Sequence, residues 1–394
     1  MKKQRVLPRH KFYFKFFKFV GFFASKLYHV KYKKFKIKKN ETYLIISNHQ
    51  TGLDPLFLGM SFNKPIYFMA TDTLFNDSFV SKFVQHCFGP IKKRKAISDM
   101  ACIRDCVKIA KEEGSIGIFV EGNRSWADFQ IYIDPSICKL IKLLKMPVLF
   151  YNFEGGYGID PRWRNKIRKG KCVGQVKSVL SYEDAVNMTE EELYNHVCKE
   201  IKVIDSLSNQ EFKSKKSAEY LERELFICPT CGAISALESH GDTIKCNVCN
   251  LEVKYTNKLT LESAHPKFNY KYLVDWYNYQ LDYIVKNNFD DSDYIFIDNE
   301  CRIFDKTTHK RKLLHKGVLK LTRENLTIGD VNIFVNDIVS STIVGGNKLI
   351  INTENASYMI KGTPRFNGLK YVLLLNKISE KVKDKYYSLD KKAM

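Results

Sequence analysis

Between residues 41 and 215 short apolar runs alternate with amphipathic ones, and this alternation constrains the chain more than any other feature. The segments "TYLIIS" (42–47), "PIYFMA" (65–70), "SIGIFV" (115–120), "MPVLFYNF" (146–153) and "KCVGQVKSVL" (171–180) read as strands. Between them lie helical stretches. "DPLFLGMSF" opens at Asp54, read as a cap, with Pro55 in its first turn. "DSFVSKFVQHCF" spans 77–88, and "SDMACIRDCVKIAKEEG" spans 98–114, capped by Ser98 and stopped by Gly114. Strands joined by helices predict an α/β layer with a mixed, largely parallel sheet. Sites in such sheets form at the carboxyl ends of strands, where His49, the 89–95 loop and residues 121–125 all fall.

The first of these strand ends reads "ISNHQTGLDPL" (46–56). A neutral imidazole can take a proton near neutral pH, and a carboxylate can fix its tautomer. By itself a His-x4-Asp is common by chance; Asp54 could cap its helix and His49 could be a packed turn residue. Two other loops change this balance. "EGNRS" (121–125) puts Arg124 at a strand end, where arginine and backbone N–H groups suit a phosphate. "IKKRK" (91–95) adds four basic residues, which alone would be a solvated run. Together they describe a general base beside an anion cradle. Such a site suits removal of a proton from a hydroxyl of a phosphorylated acceptor, whose oxygen then attacks a carbonyl.

These residues resemble the PlsC-type glycerolipid acyltransferases. The resemblance rests on four blocks in fixed order between residues 48 and 150. Asn48-His49-x4-Asp54 is the first, and the Gly89–Lys95 loop the second. Phe119-Val120-Glu121-Gly122-Asn123-Arg124-Ser125 is the third, and Met146-Pro147-Val148-Leu149-Phe150 the fourth. Val120 stands where proline is usual and Asn123 where threonine is usual. In the second block Lys95 occupies the usual arginine position with Arg94 just before it, and the two are not distinguished. The resemblance implies that His49 deprotonates the acceptor and Asp54 orients it, with no acyl-enzyme. It implies that Glu121, Gly122, Arg124 and one of Arg94 or Lys95 hold the acceptor. The implied acceptor is lysophosphatidic acid (1-acyl-glycerol 3-phosphate), the donor acyl-CoA or acyl carrier protein, and the product phosphatidic acid. Glycerol 3-phosphate or another lyso-lipid are alternative acceptors, and a non-catalytic binding module is the rival outside enzymes.

The net charge is +21, and residues 1–40 hold fourteen Lys or Arg and no acid. Such a segment seeks an anionic surface. In "KFYFKFFKFVGFFASK" (11–26) Lys11, Lys15, Lys18 and Lys26 share one helical face, and Phe12, Phe16, Phe19, Phe22 and Phe23 lie on and around the other side. This predicts an interfacial helix on an anionic membrane. Nucleic acid is the minor alternative, since no nucleic-acid motif accompanies these aromatics. No run reaches the roughly 18 apolar residues that a spanning helix needs, and lysines interrupt any signal-peptide core. The expected place is cytoplasmic, peripheral on the inner face of the membrane.

"CPTCG" (228–232) and "CNVCN" (246–250) form two Cys-x2-Cys knuckles separated by fourteen residues. Cys228, Cys231, Cys246 and Cys249 fit one tetrahedral structural zinc in a ribbon too small to fold unaided, with no catalytic cofactor. A redox pair would need only one such knuckle in an α/β setting. Behind the ribbon, "YKYLVDWYNYQLDYIVKNN" (270–288) reads as a helix, residues 294–362 as short strands, and residues 364–378 as a closing helix. That order suggests a small β-rich domain of pleckstrin-homology shape. The expected organisation is a basic arm (1–40), an acyltransferase domain (41–215), a zinc ribbon (222–256), and a helix plus β-rich domain (270–394).

Overall fold

A computed structural model describes residues 4–71, 79–93, 99–287, 289, 295–307 and 311–378. Two compact units divide the chain: Met1–Ser125 with Gln130–Ile159 and Lys169–Ser208, and Trp126–Phe129 with Asp160–Arg168 and Asn209–Met394.

The first unit runs α1 (Pro8–Leu27), β1 (Val30–Tyr32), β2 (Leu44–Ser47), α2 (Asp54–Ser61), β3 (Ile66–Thr71), α3 (Phe79–Phe88), β4 (Ile91–Lys93) and α4 (Met100–Lys111). It continues with β5 (Ser115–Phe119), α5 (Ser136–Leu144), β6 (Val148–Glu154), α6 (Gly156–Ile159), β7 (Cys172–Leu180), α7 (Tyr182–Asn187) and α8 (Glu190–Ile201). The sheet order is β1-β7-β6-β2-β5-β3-β4. Neighbours pair parallel except β6 with β7, so the sheet is mixed and largely parallel, as the alternation predicts. Residues 30–32 of the basic segment lie in this sheet as β1, paired with β7.

The strands are apolar on both faces because helices cover both, as parallel sheets require. Leu44, Ile46, Ile116, Ile118, Val148 and Phe150 join Cys106 and Ile109 of α4, Ile137 and Ile141 of α5, and Leu193 and Val197 of α8 in one buried cluster. Each such side chain contributes about 1.5–3 kcal/mol when removed from water. The other face meets α2: the Ser61 hydroxyl bonds the Tyr151 hydroxyl at 2.7 Å, and the Phe62 ring lies 5.9 Å from that of Tyr151.

Local signals explain the helix ends. Asp99 caps α4, accepting from Ala101 N and Cys102 N; the expected cap, Ser98, lies outside the described residues. Thr189 and Glu192 form a reciprocal capping box on α8. Lys145 ends α5 in the left-handed region, at φ 53°, and Pro147 follows. Asp54 corrects the sequence reading. It is the first residue of α2 rather than its cap, Leu53 is the cap without a side-chain bond, and the Asp54 carboxylate turns back into the preceding loop.

The second unit holds a four-stranded antiparallel sheet of β8 (Leu237–His240), β9 (Thr243–Cys246), β10 (Glu252–Tyr255) and β11 (Leu261–Glu262). Then come α9 (Leu273–Lys286), β12 (Phe296–Asp305), β13 (Lys312–Leu321), β14 (Asn325–Ile328), β15 (Val331–Phe334), β16 (Ile338–Val344), β17 (Lys348–Thr353), β18 (Ser357–Lys361) and α10 (Leu369–Ile378). Its larger sheet is ordered β15-β14-β13-β12-β18-β17-β16. It consists of a four-strand and a three-strand meander joined where β12 pairs with β18, and α10 packs on β16 and β17. The chain therefore carries the expected β-rich addition with its closing helix.

Candidate active site and cysteine cluster

Ser47 is in register with Phe119 on one side and Tyr151 on the other, so the chain leaves β2, β5 and β6 at one edge of the sheet. All three are parallel, and this is their carboxyl edge. Asn48 locks the first exit to the third: its side-chain N–H donates to the Phe153 carbonyl and its side-chain oxygen accepts from Phe153 N, both at 2.9 Å. The next residue, His49, is thereby fixed at the edge with its side chain 22% exposed.

His49 Nδ1 lies 2.9 Å from Asp54 Oδ2. That oxygen also accepts the backbone N–H groups of Gln50 at 2.6 Å and Thr51 at 2.9 Å, while Oδ1 accepts the Thr51 hydroxyl at 2.6 Å. An oxygen on which backbone N–H groups converge is an acceptor. Nδ1 must therefore carry the hydrogen, and Nε2 holds the lone pair. The turn built by these bonds is why five positions of chain bring the two side chains together. Asp54 is completely buried, and the Phe119 ring lies 4.7 Å from the imidazole.

The third block folds against the first. Gly122 turns the chain at φ +65°, its N–H closing on the Phe119 carbonyl at 3.0 Å. Glu121 then points inward: Oε2 accepts His49 N at 2.7 Å and Oε1 accepts Ile131 N at 3.2 Å. Burial pushes its carboxyl up to about 8; the two N–H donors oppose this, and the Asp54 charge adds to it. Arg124 Nε donates to the Gln50 carbonyl at 2.9 Å. His49, Asp54, Glu121, Gly122 and Arg124 are thus gathered at one edge. Gly89, which opens the second block, sits at φ +54°, where a Cβ would approach His10 Cε1 to 2.8 Å. Lys92 and Lys93 are exposed in β4. Arg94 and Lys95 lie outside the described residues.

Three supporting roles escaped the sequence reading, which placed Asn48 in the first block without giving it a task. Gln50 accepts Tyr157 N on its side-chain oxygen at 2.6 Å. The loop carrying Tyr157 is held by Asp205, whose oxygens accept Gly155 N at 2.7 Å and Gly158 N at 2.9 Å. Asn48 supplies the third. The glycine-rich "EGGYG" (154–158) directly after a strand was the available signal: a Cβ on Gly155 would lie 2.1 Å from the Lys171 carbonyl oxygen.

In the second unit the ligand atoms of Cys228, Cys231, Cys246 and Cys249 lie within 4.8 Å of one another, the one such cluster among the described residues. Sγ of Cys228 is 3.6 Å from that of Cys249, and Sγ of Cys231 is 3.8 Å from that of Cys246. A tetrahedral ion with metal–sulfur bonds of about 2.3 Å requires sulfur–sulfur edges of about 3.8 Å. Backbone N–H groups of Thr230 and Cys231 face the Cys228 sulfur, and those of Val248 and Cys249 face Cys246. The four cysteines can therefore hold one metal ion as thiolates, with no position left for substrate. Behind the first knuckle, α9 donates Trp276 Nε1 to the Ile227 carbonyl at 2.9 Å, and Gln280 Oε1 accepts Phe226 N at 3.1 Å.

Residues 29–148 match the Acyltransferase family model, a span that contains the first three blocks and the start of the fourth. Over 121 residues the chain is 31% identical to the 1-acyl-sn-glycerol-3-phosphate acyltransferase of Borreliella burgdorferi; the match covers 29% of this chain and 48% of that one. The chain thus spans about half the length of this curated relative. Among solved structures, the 1-acyl-sn-glycerophosphate (LPA) acyltransferase PlsC of Thermotoga maritima aligns with a TM-score of 0.42 and 20% identity, over 48% of this chain and 77% of that one.

Proposed function

We propose that the first unit is a 1-acylglycerol-3-phosphate O-acyltransferase. The observation that carries this reading is the His49–Asp54 pair, with Nε2 left as base, tied through Gln50 to Arg124. His49 Nε2 takes the proton of the acceptor hydroxyl, and the oxygen attacks the carbonyl carbon of an acyl thioester. The tetrahedral intermediate collapses with cleavage of the carbon–sulfur bond, and the proton passes from His49 to the leaving thiolate. Asp54 holds the imidazole tautomer and offsets its charge while it is protonated. Arg124 pairs with the acceptor phosphate. Glu121 acts by positioning the His49 backbone, since both its oxygens are occupied by N–H donors.

In this reading the acceptor is lysophosphatidic acid, the donor is acyl-CoA or acyl carrier protein, and the product enters phospholipid synthesis. The ion at the four cysteines is zinc, for which four thiolates are a common structural set. The enzyme works peripherally on the cytoplasmic face of an anionic membrane. Among the described residues no helix is long and apolar enough to cross one. Helix α1 buries His10, Phe14, Gly21 and Ser25 and exposes Phe12, Phe16, Phe19, Phe23 and Leu27 as one stripe. Lys11, Lys15 and Lys26 are exposed along one side of this stripe, while Lys18 is half-buried and donates to the Phe62 carbonyl. That placement suits aromatics in the acyl boundary with ammonium groups at the headgroups.

The test is an assay of the purified protein and His49→Ala on lysophosphatidic acid with each donor, beside glycerol 3-phosphate and lyso-lipids lacking the free phosphate. Turnover that needs both His49 and the phosphomonoester supports the reading. Equal turnover by the variant, or a preference for another acceptor, overturns it.

A further inference from the structure

The larger sheet of the second unit carries four cations in one row across four adjacent strands. Arg302 of β12 stands directly opposite Lys316 of β13 on one side and Lys361 of β18 on the other, and Lys361 stands opposite Lys348 of β17. Their chain neighbours Cys301, Ile303, Leu349 and Ile360 are buried, so alternation turns the cations to the opposite face, where Arg302 and Lys316 are exposed and Lys348 and Lys361 half-buried. Like charges directly opposite one another destabilise a strand pair, and here three successive pairs repeat the penalty. The ion pairs nearby in sequence serve Glu219, Glu222, Glu238 and Asp298, and no acid among the described residues pairs with any of the four. Lys361 Nζ instead lies 5.7 Å over the Phe304 ring. Burial lowers its pKa, and Lys348, Arg311 and Arg302 lower it further.

We infer that this face is a second contact for an anionic lipid surface, separate from α1. At about 4.8 Å per strand the row is roughly 14 Å long, enough to face several headgroups at once. The neighbouring side chains on the same face decide between lipid and nucleic acid. Val318 lies two residues from Lys316, and Ile297 stands opposite Lys320; both are exposed. Leu313, opposite Phe304, is exposed as well. Aliphatic groups between cations gain from the acyl boundary beneath headgroups; a single-stranded nucleic acid would be met by a run of exposed stacking aromatics, whereas Phe304 on this face is half-buried beneath Lys361 and Phe334 lies on the edge strand β15, two strands from Lys316. The inference is independent of the chemistry at His49.

The experiment uses the full chain, the variant Arg302→Gln/Lys316→Gln/Lys348→Gln/Lys361→Gln, and vesicles of phosphatidylglycerol with phosphatidylethanolamine or of phosphatidylcholine alone. A cation near an anionic surface is worth about fivefold in partitioning, so at low salt the variant, which lacks four, should bind phosphatidylglycerol vesicles roughly 600-fold more weakly. Added salt should shrink that difference, and phosphatidylcholine should abolish it. Its melting temperature should hold or rise, because repulsion within the sheet is gone; this separates lost binding from lost folding. Turnover on detergent-dispersed acceptor should match the parent. That arm also keeps the inference apart from the proposed function, since an inactive parent would still report vesicle binding. Unchanged binding by the variant, or single-stranded RNA captured in preference to vesicles, overturns the inference.

Discussion

The backbone N–H of His49 donates to the Glu121 carboxylate at 2.7 Å, joining two loops 72 residues apart in sequence. The bond lies at the feet of two parallel strands, and its acid sits where burial favours the protonated form. Glu121 therefore links the placement of the histidine to pH. Its folded pKa, about 8, lies above the usual carboxyl value. Between those values the folded state binds more protons than the unfolded state. Stability from this group is thus present at low pH and declines as pH rises through about 8. Denaturant melts of the parent and Glu121→Gln across pH 5 to 9 should show a steeper decline in the parent. Parallel curves would remove Glu121 as the source.

At His49, the proposed base, replacement by alanine should lower kcat by about 100-fold or more with the fold intact. Asp54→Asn should cost less. An amide oxygen can take the place of Oδ2 beneath the three N–H donors, and the amide N–H2 can face the Thr51 hydroxyl. What is lost is the negative charge that favours the imidazolium. Circular dichroism beside steady-state rates separates the two effects; a fully active His49→Ala would end the general-base reading.

Asp205 holds the loop that holds Gln50, and Gln50 holds Arg124. Burial raises the Asp205 carboxyl to about 6, against the N–H groups of Gly158, Gly155 and Tyr157. Asp205→Asn should loosen this chain of bonds at its Arg124 end, where the acceptor phosphate is proposed to sit. The expected signature is a several-fold rise in KM for the phosphorylated acceptor, with little change in kcat or in donor KM. A matching fall in kcat alone would mean that the loop serves His49 instead.

The alternation of strand and helix was legible because a parallel sheet covered on both faces needs uninterrupted apolar strands such as Leu44–Ser47. The gathering of His49 with residues 121–125 followed from the rule that sites form at carboxyl strand ends. The inner support was not legible. Asn48, Gln50 and Asp205 act through backbone groups, and a backbone N–H carries no residue identity that a sequence pattern could register. Asp54 shows the same limit in reverse. Aspartate before proline reads as a helix cap, yet here the preceding turn offers Gln50 N and Thr51 N, which compete successfully for its oxygens. On α1 the spacing of the lysines was clear, but which side the chain would bury depended on α2, whose Met60 lies where a Cβ on Gly21 would intrude.

The cysteine cluster should behave as a folding element rather than a catalytic one. The segment that leads into its first knuckle is held to α9 by Trp276 and Gln280, so loss of the ion should propagate into that helix. Cys228→Ser, or strong chelation, should release one equivalent of zinc and lower the melting temperature of the second unit. Turnover at His49 should fall only as far as stability does. Elemental analysis with calorimetry checks this, and four freely alkylated thiols in a fully folded protein would refute it.

Helix α1 offers the most direct test of the proposed membrane contact. Phe12, Phe16, Phe19 and Phe23 recur at four, three and four residues, which places them on one side of a helix, and all four are exposed. Their rings contact one another only in part; Phe19 and Phe23 meet edge to face at 5.1 Å. Water is a poor environment for such a stripe, whereas the acyl boundary is a favourable one. Replacing the four with serine removes the apolar contribution and leaves every lysine in place. Binding to anionic vesicles should fall by roughly 100-fold or more, since each buried ring is worth at least 1.5 kcal/mol. The binding that persists should be wholly salt-sensitive, because only charge remains to hold the helix. Parent binding, by contrast, should keep a salt-resistant part. Flotation assays across a salt series measure both. A serine variant that binds as tightly as the parent at high salt would show that the exposed rings do not enter lipid.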